Sequence, residues 1–500
     1  MNYKSNATTF PYASRQQPMI CELDKPIALL QSWLFAAPRM KPDALDPQDD
    51  APETSPGRRS RYINQLIAGE VSASTRYYDS LLQWLPRRED SGLLLALIDA
   101  PQKKLIQNNE GLPDLTAEEE RRTAVLINGT LNHHFDIQSI FLDLQAHLSH
   151  TSRVVVVLYN SYLRALYRLA NFLGLRRGEL PSTFITRLDL ENLAQLTGLQ
   201  IVRQRPCAHF PWRCFGLGEI MNRLLPLVPL IRWLSLAYVV TLRPMKPRPR
   251  AGLTCIIPTR NEKGNIEDAL RRFPALGCPV EIVFVEGHST DGTWEEIQRV
   301  ATLYEGRFQI KTLQQSGKGK ADAVRLGFAH ATQPLLTILD ADLTMPPEML
   351  SRFYEAYSQG RADFINGSRL VYPMEGEAMR FLNRLGNVFF AKALSWVLDT
   401  RLSDSLCGTK LFARHDYERM RAWRRDFGDF DPFGDFELLF PAAVLGLGSV
   451  DIPVRYLARR YGSTSIHRFS HGWQLLRMTC IGLFRIKIGR RIGEVKRPIG

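Results

Sequence analysis

Two aspartates that lie two positions apart follow an apolar run in the second half of the chain. The run covers residues 335–339, and Asp340 and Asp342 follow it directly. A short run of this kind is typical of a buried strand in a parallel sheet, where ligands gather at the carboxyl end. Two carboxylates suit Mg²⁺ or Mn²⁺, which complete their shell with water and substrate phosphates. The pair predicts a metal site for a phosphorylated donor, although Asp-x-Asp alone also occurs in ordinary solvated turns.

Three further polar segments accompany this pair. Residues 258–262 and 286–293 each follow an apolar run, and 316–322 supplies glycines and two lysines before a helical stretch. The N-terminus of a helix favours phosphate, but the spacing of 316–322 is not that of a Walker loop. Because parallel strands end at one edge of a sheet, we expect all these segments to surround the aspartates.

The elements that position them alternate regularly. Strands are predicted near residues 253–257, 281–285, 308–313 and 335–339, each followed by a helical stretch. The helix after the second strand begins at about Thr293 and carries an apolar stripe at helical spacing. This alternation predicts an α/β fold with a mostly parallel, doubly wound sheet.

The ordered motifs of residues 251–489 resemble the family 2 inverting glycosyltransferases of GT-A fold, the class that includes dolichyl-phosphate mannose synthase-like enzymes. The matching blocks are 256–262, 286–293, 319–322, 340–342 with 346–348, 367–369 and 404–410.

The resemblance implies roles for single residues. Asp340 and Asp342 would hold Mg²⁺ or Mn²⁺ against the diphosphate of a UDP- or GDP-sugar, and Glu286 and Asp291 would contact the nucleoside. Glu286 departs from the aspartate of many relatives by one added methylene. The other residues expected to bind the donor nucleotide are Pro258, Thr259, Asn261, Glu262, Lys320 and Asp322.

The acceptor decides which residues catalyse transfer. A hydroxyl acceptor requires a general base, for which Asp435 is the first candidate and Glu437 the second. A polyprenyl phosphate is already an anion, so Arg369, Arg384 and Lys410 would orient it instead, with a solvated surface side chain as the alternative for Arg384. Arg369 would also help to stabilise the leaving group. The resemblance adds Asp404 to this set.

Composition limits the partners and the compartment. The 500 residues include 64 Lys plus Arg against 51 Asp plus Glu, a formal charge of +13 that favours an anionic partner. Seven scattered cysteines without a CxxC pair indicate a reducing compartment, and the opening residues lack the apolar region of a signal peptide. We expect a cytoplasmic protein with a sugar nucleotide and a lipid-phosphate or glycan acceptor as partners, and no nucleic acid.

Two segments suggest contact with a membrane surface. Residues 224–242 are apolar but interrupted by Pro226, Pro229 and Arg232, which leaves a core helix or interfacial insertion as alternatives. Residues 485–491 mix cations with apolar side chains and suit an anionic face, or form a solvated tail. Peripheral association with the cytoplasmic face of the membrane is the resulting expectation.

The first half of the chain carries a second, weaker resemblance. The runs at 124–131 and 153–160, and the closing run at 234–244, resemble the C-terminal half of class I S-adenosylmethionine-dependent methyltransferases. The G-x-G-x-G turn is missing, and about 35 residues between Pro86 and Arg122 are too few for three βα units. We interpret the region as a degenerate methyltransferase-like domain and expect no S-adenosylmethionine.

These observations predict five regions. Residues 1–60 form a disordered leader, 61–243 the degenerate domain, 244–250 a Pro/Arg linker, 251–489 the glycosyltransferase domain and 490–500 a basic tail. The predicted function is metal-dependent, inverting transfer of a sugar to a lipid-linked or polyprenyl-phosphate acceptor. A soluble hydroxyl acceptor and a non-catalytic sugar-nucleotide-binding scaffold are the alternatives.

Overall fold

The computed structural model describes residues 57–87, 90, 92–117, 121–175, 179–372, 381–428, 431, 434–459, 461 and 468–488. The described residues form two sheets with helices around each. The predicted leader falls outside these residues except for 57–60, where a helix begins at Arg58 rather than continuing the leader. The predicted basic tail lies outside them entirely.

The first sheet has six strands. Its elements are α1 (Arg58–Thr75), β1 (Ser80–Gln83), α2 (Leu93–Leu97), β2 (Lys103–Leu105), β3 (Thr123–Asn128), α3 (Ile137–His147), β4 (Arg153–Tyr159), α4 (Arg164–Phe172), α5 (Arg187–Leu196), β5 (Leu199–Cys207), α6 (Leu217–Leu224) and β6 (Ala237–Pro244).

The strand order of this sheet is β2-β1-β3-β4-β6-β5. Strands β1 to β4 are parallel, and β6 runs antiparallel between β4 and β5. The predicted strand pair with a helix between them is confirmed as β3, α3 and β4, and the predicted closing strand as β6. Whether this unit derives from a methyltransferase stays a prediction.

The second sheet has seven strands. Its elements are β7 (Leu253–Thr259), α7 (Ile266–Arg271), β8 (Val280–Glu286), α8 (Thr293–Tyr304), β9 (Gln309–Gln314), α9 (Lys320–His330), β10 (Leu335–Ile338), α10 (Leu350–Ser358), β11 (Phe364–Ser368), α11 (Phe381–Leu398), β12 (Lys410–Ala413), α12 (Arg414–Phe427), α13 (Phe436–Val444), β13 (Ser449–Pro453) and α14 (Arg468–Gly482).

The order of the second sheet is β13-β11-β12-β10-β7-β8-β9. All its pairs are parallel except those that β12 makes. One apolar core packs α7, α8 and α10 on one face, and another packs α9, α12 and α13 on the other. The predicted mostly parallel α/β fold, with helices on both faces, is therefore confirmed, as are the four predicted strands and the helix from Thr293.

A buried charge cluster joins the two units. Asp363, directly before β11, accepts from Arg153 of the first sheet at 2.6 Å and pairs with Arg243 at 3.4 Å and with Arg248. Burial opposes the ionisation of Asp363, but the three arginines outweigh it and hold its pKa well below the usual range. The predicted linker contributes the buried Arg248 to this cluster.

Residues 224–242 do not form the core helix that was one of the alternatives. The prolines end α6 and leave two 3₁₀ turns, Leu225–Leu227 and Ile231–Leu234, before β6. Within the described part of the chain, no helix combines the length and the apolar character needed to cross a membrane.

Candidate functional site

The predicted polar segments meet at one edge of the second sheet. Strand β10 pairs in parallel with β7, and β7 pairs in parallel with β8, so their carboxyl ends lie side by side. Asp340 follows β10, Pro258 and Thr259 end β7, and Glu286 ends β8. The backbone N–H of Gly287 donates to the Thr259 carbonyl at 2.9 Å, which ties the two loops together.

Asp340 lies in a cluster of cations. The ammonium of Lys320, the first residue of α9, forms an ion pair with its carboxylate. Burial opposes ionisation of Asp340, but Lys320, Lys410 and Arg369 outweigh it and lower its pKa. Gly408 packs directly against the pair, because a Cβ added there would overlap Asp340 and Lys320.

Asp342 is held by the backbone and by a distant arginine. Its Oδ1 accepts from the Thr344 N–H at 3.1 Å and from the Thr344 hydroxyl at 2.9 Å. Its Oδ2 accepts from Nη2 of Arg459 at 2.7 Å, and Nη1 of the same guanidinium donates to Glu262 at 3.0 Å. Burial raises the pKa of Glu262, although Arg459 acts in the opposite direction.

Arg459 was not among the predicted site residues. It lies after β13, more than 100 residues from Asp342, so only the fold brings the two together. The phenol of Tyr461 extends the same contact, because it donates to Asp291 at 3.3 Å.

The predicted nucleoside-binding residues form a network between the loops after β7 and β8. The side chain of Asn261 accepts from Thr290 N–H at 2.9 Å, and Glu286 accepts from Ser289 N–H at 2.5 Å. Asp291 accepts from Thr293 N–H at 3.0 Å and from Lys263 N–H at 3.3 Å. Burial opposes ionisation of Asp291, but these hydrogen bonds lower its pKa. One oxygen of Glu286 therefore stabilises the loop itself.

Asp322 lies in the first turn of α9, and its carboxylate packs against Gly317 in the preceding loop. Acidic residues near a helix N-terminus are stabilised by the helix dipole. This position supports a structural role for Asp322 beside the predicted nucleotide-binding role, which stays a prediction.

Arg369 and Asp404 form a bidentate pair at the end of β11. Nε and Nη2 of Arg369 donate to the two carboxylate oxygens at 2.7 and 2.9 Å. Asp404 is fully buried, and the charge and hydrogen bonds of Arg369 overcome burial to lower its pKa. Asp404 therefore fixes Arg369, whose positive charge also acts on Asp340.

Lys410 and Asp435 form a second pair next to Asp340. The fully buried ammonium of Lys410 donates to Asp435 and to the Cys407 carbonyl, the latter at 2.5 Å. The charge of Asp435 also acts on Lys320. The fold thus gathers Asp340, Lys320, Lys410 and Asp435 from four separate elements.

Glu437 lies apart from this group. Its carboxylate accepts from Arg325 at 2.8 and 3.1 Å and from Arg424 at 2.7 Å, and its side chain is buried. The two arginines connect α13 to α9 and α12. These contacts favour a packing role for Glu437 over its predicted role as the second candidate base.

The donor set of Asp340 and Asp342 fits a divalent cation. Both are partly exposed carboxylates at the sheet edge, and the chain's own cations, Lys320 and Arg459, already neutralise them. Among the described residues no group of three or more His, Cys, Asp or Glu side chains is arranged to hold a metal. An ion here would therefore need water and substrate oxygens to complete its shell.

Comparison with known proteins adds a family to this geometry. Residues 254–420, which include β7 to β12 and both aspartates, match the description "Glycosyl transferase family 2". Residues 254–420 are thus similar to the glycosyltransferase family 2 domain. The matched region contains most of the site, whereas Asp435, Arg459 and Tyr461 lie beyond its end.

Three curated relatives are similar in sequence to part of this chain. A dolichol-phosphate mannosyltransferase of Pyrococcus furiosus is 36% identical over 135 residues, 27% of this chain and 37% of the relative. A dolichyl-phosphate hexose transferase of Haloferax volcanii is 27% identical over 224 residues, 44% and 89% respectively. An undecaprenyl-phosphate 4-deoxy-4-formamido-L-arabinose transferase of Pseudomonas aeruginosa is 29% identical over 184 residues, 36% and 52%. The chain thus spans about a third to a half of two of them.

Among solved structures, the chain is similar to a mannosyltransferase from Pyrobaculum calidifontis in complex with GDP-Man and Mn²⁺. The identity is 21%, the coverage is 50% of this chain and 68% of that chain, and the TM-score is 0.34. The strand order and register of this chain define its fold without this comparison.

Proposed function

We propose that the chain is an inverting, metal-dependent glycosyltransferase that moves a sugar from a UDP- or GDP-sugar to a polyprenyl-phosphate or other lipid-linked acceptor. The observation that supports it best is the cluster at the carboxyl edge of the second sheet. There Asp340 and Asp342 face Lys320 and Arg459, within the family 2 domain and its continuation. The three relatives are polyprenyl- or dolichyl-phosphate sugar transferases by name, which supports the acceptor class.

The charges account for departure of the nucleoside diphosphate. The bond between the anomeric carbon and the diphosphate oxygen breaks, and the leaving group keeps the electron pair. A divalent ion held by Asp340 and Asp342 would supply Lewis-acid stabilisation of that charge. Lys320, at the N-terminus of α9, and Arg459 add positive charge from the chain itself.

Arg369, a further cation that acts on Asp340, suits an anionic acceptor. An acceptor phosphate oxygen attacks the anomeric carbon from the face opposite the leaving group, which inverts the configuration and requires no base. Arg369 is held in place by Asp404, and it presents a guanidinium suited to orient a phosphate. For a soluble hydroxyl acceptor, Asp435 would instead take the proton, after release from Lys410.

Sugar transfer from radiolabelled UDP- and GDP-hexoses to undecaprenyl and dolichyl phosphate, with Mn²⁺ or Mg²⁺, tests the proposal. Asp342→Asn is expected to lower kcat/KM by about 100-fold or more, because a ligand to the leaving-group cation is lost. Asp99→Asn, at an exposed position of the first unit, is the matched control and should leave the rate unchanged. Transfer that persists in Asp342→Asn at the parental rate would contradict the proposal.

A binding experiment separates the enzyme from the scaffold alternative. Calorimetric titration with UDP and GDP, with and without Mn²⁺, measures nucleotide affinity independently of turnover. Nucleotide binding without any transfer or hydrolysis would favour the scaffold.

Peripheral association with the cytoplasmic face of the membrane is part of the proposal, because a polyprenyl phosphate resides in a bilayer.

A further inference from the structure

The first unit carries an apolar surface that the proposed transfer chemistry does not use. Helix α6 exposes Leu217, Ile220 and Leu224, which share one face, while its Asn222 points inward. Asn222 is buried and exchanges hydrogen bonds with the backbone of Phe210 at 2.8 and 2.9 Å. The usual pattern, apolar inside and polar outside, is thus reversed on this helix.

Helix α4 repeats this reversal. Its exposed side chains Leu166, Leu169 and Phe172 recur at helical spacing, while the polar-tipped Tyr167 is buried. The Tyr167 hydroxyl donates to the Leu236 carbonyl at 2.5 Å. A second helix of the same unit therefore turns an apolar face to solvent.

Polar contacts tie the flanks of the two helices to shared partners. The Asn160 side chain, just before α4, donates to the carbonyls of Trp233 and Ser235, both at 2.6 Å. Beyond the other end of α4, the Leu175 carbonyl accepts from Arg59 at 2.5 Å, and the same guanidinium lies 5.0 Å from the centroid of Trp212, just before α6. We define the docking surface as the exposed apolar side chains of three segments. These are Leu166, Leu169 and Phe172 on α4, Leu217, Ile220 and Leu224 on α6, and Leu230 with the 3₁₀ turn Ile231–Leu234 that follows it.

The surface is also positively charged. Residues 160–175 and 208–236, which contain it, include five arginines and a single acidic residue, Glu219. Arg213 pairs with Glu219 at 3.6 Å, and Arg232 pairs with Asp399 at 2.8 Å. Counted by themselves, the two segments carry a formal net charge of +4. Arginines beside exposed leucines, with Trp212 and Trp233 at the flanks, are the features of an element that lies in a membrane interface.

We propose that this docking surface binds the face of an anionic lipid bilayer. Charge favours this occupant over a second copy of the chain, because two identical positively charged surfaces repel each other, whereas anionic headgroups attract the arginines. Apolar side chains of this size enter the boundary between headgroups and acyl chains without any membrane-spanning segment.

The docking surface has a fixed relation to the catalytic unit. Arg232 of the Ile231–Leu234 turn pairs with Asp399, directly after α11, and Asp399 also pairs with Lys487 at 2.9 Å. Burial opposes the ionisation of Asp399, but its cations lower its pKa. A bilayer on this surface would hold the second sheet at a set orientation to the lipid. The role of this orientation in reaching a lipid-linked acceptor rests on the proposed function, whereas the binding of the docking surface to a bilayer does not.

Sedimentation of the full chain with vesicles tests the surface without any sugar nucleotide. Phosphatidylcholine vesicles with phosphatidylglycerol should bind the chain, and binding should fall with ionic strength. The variant Leu224→Glu/Leu230→Glu replaces side chains that are 52% and 83% exposed and should bind about tenfold more weakly or worse. The control Leu196→Glu/Leu303→Glu changes leucines that are 70% and 59% exposed on α5 and α8, and should bind like the parent.

Equal binding by both double variants, or equal binding to vesicles with and without phosphatidylglycerol, would overturn the proposal. The proposal would also be overturned if the Leu224→Glu/Leu230→Glu variant lost self-association, as measured by analytical ultracentrifugation, but still bound vesicles like the parent. Thermal unfolding of each variant checks that it is folded. Hydrolysis of the sugar nucleotide in vesicle-free buffer should be unchanged in both double variants. An absence of hydrolysis in the parent would contradict the transferase proposal, whereas unchanged vesicle binding by Leu224→Glu/Leu230→Glu would contradict the docking surface.

Discussion

At the scale of single residues, four carboxylates around the proposed reaction centre each have a cation of the chain beside them. Asp340 faces Lys320, Asp342 faces Arg459, Asp404 faces Arg369 and Asp435 faces Lys410. Because each charge is already compensated, a divalent ion and a diphosphate would enter by exchanging partners with these pairs. The site is built for charge exchange, which is the requirement for releasing a nucleoside diphosphate.

Gly408 tests how closely this arrangement must be kept. A methyl group at this position would overlap the ends of Asp340 and Lys320, which are side chains that can shift. We expect Gly408→Ala to change the free energy of unfolding by less than about 1 kcal/mol and to lower kcat/KM for sugar transfer by about tenfold or more. Urea unfolding and initial rates measure the two effects.

Gly306→Ala is the matched control, because nothing lies within 4 Å of a Cβ added there. It should change neither quantity. An unaltered transfer rate in a folded Gly408→Ala variant would show that the position of the Asp340–Lys320 pair is not critical.

At the scale of elements, α9 is positioned by an unusually close approach to the second sheet. A Cβ on Gly327 would lie 2.6 Å from a methyl group of the fully buried Ile256 and 3.3 Å from Val285. The absence of a side chain lets the helix settle on β7 and β8 and brings Lys320, at its N-terminus, to Asp340. Packing of one helix residue thus controls a charge in the site.

Gly327→Ala should therefore destabilise the protein, against the usual gain from replacing a helical glycine. Overpacking costs about 1–3 kcal/mol, whereas the gain in helix propensity is about 1 kcal/mol. Because the added methyl group would meet the fully buried Ile256, we expect the upper end of the overpacking cost, a net loss of about 2 kcal/mol in urea unfolding, and a lower rate of sugar transfer. A variant as stable as the parent would show that α9 can move away from the sheet without cost.

At the scale of the whole molecule, the two units share a polar interface that we expect to make stability depend on pH. His150, close to the Arg153–Asp363 pair, has its pKa lowered to about 4 because burial and the charge of Arg248 disfavour its protonated form. An unfolded histidine titrates near about 6.5. Between these values the unfolded state binds the extra proton, so the stability from neutral His150 is complete above the unfolded pKa and falls as the pH drops toward 4.

We expect this histidine to contribute up to about 3 kcal/mol of pH dependence. The variant His150→Gln should show a smaller loss of unfolding free energy between pH 7 and pH 4 than the parent, as measured by urea unfolding. His330→Gln changes an exposed histidine of α9 and should follow the parental curve. Parallel curves for the parent and His150→Gln would rule out the interface as the source of the effect.

Local sequence determined much of the second unit. The apolar runs and their spacing specified four strands, the helix from Thr293 and the sheet edge at which Asp340, Asp342 and Glu286 meet. These features depend on residues near one another in the chain and on the general rule that parallel strands end together. The motif order also indicated the family to which residues 254–420 are matched.

Tertiary structure alone decided the long-range pairs. No periodicity links Arg459 to Asp342, Glu437 to Arg325 or Asp363 to Arg153, because each pair depends on where separate elements pack. The same holds for the docking surface, since an apolar helix face is equally compatible with burial until the position of its neighbours is known. The sequence thus determined which side chains were available for the chemistry, and packing determined their partners.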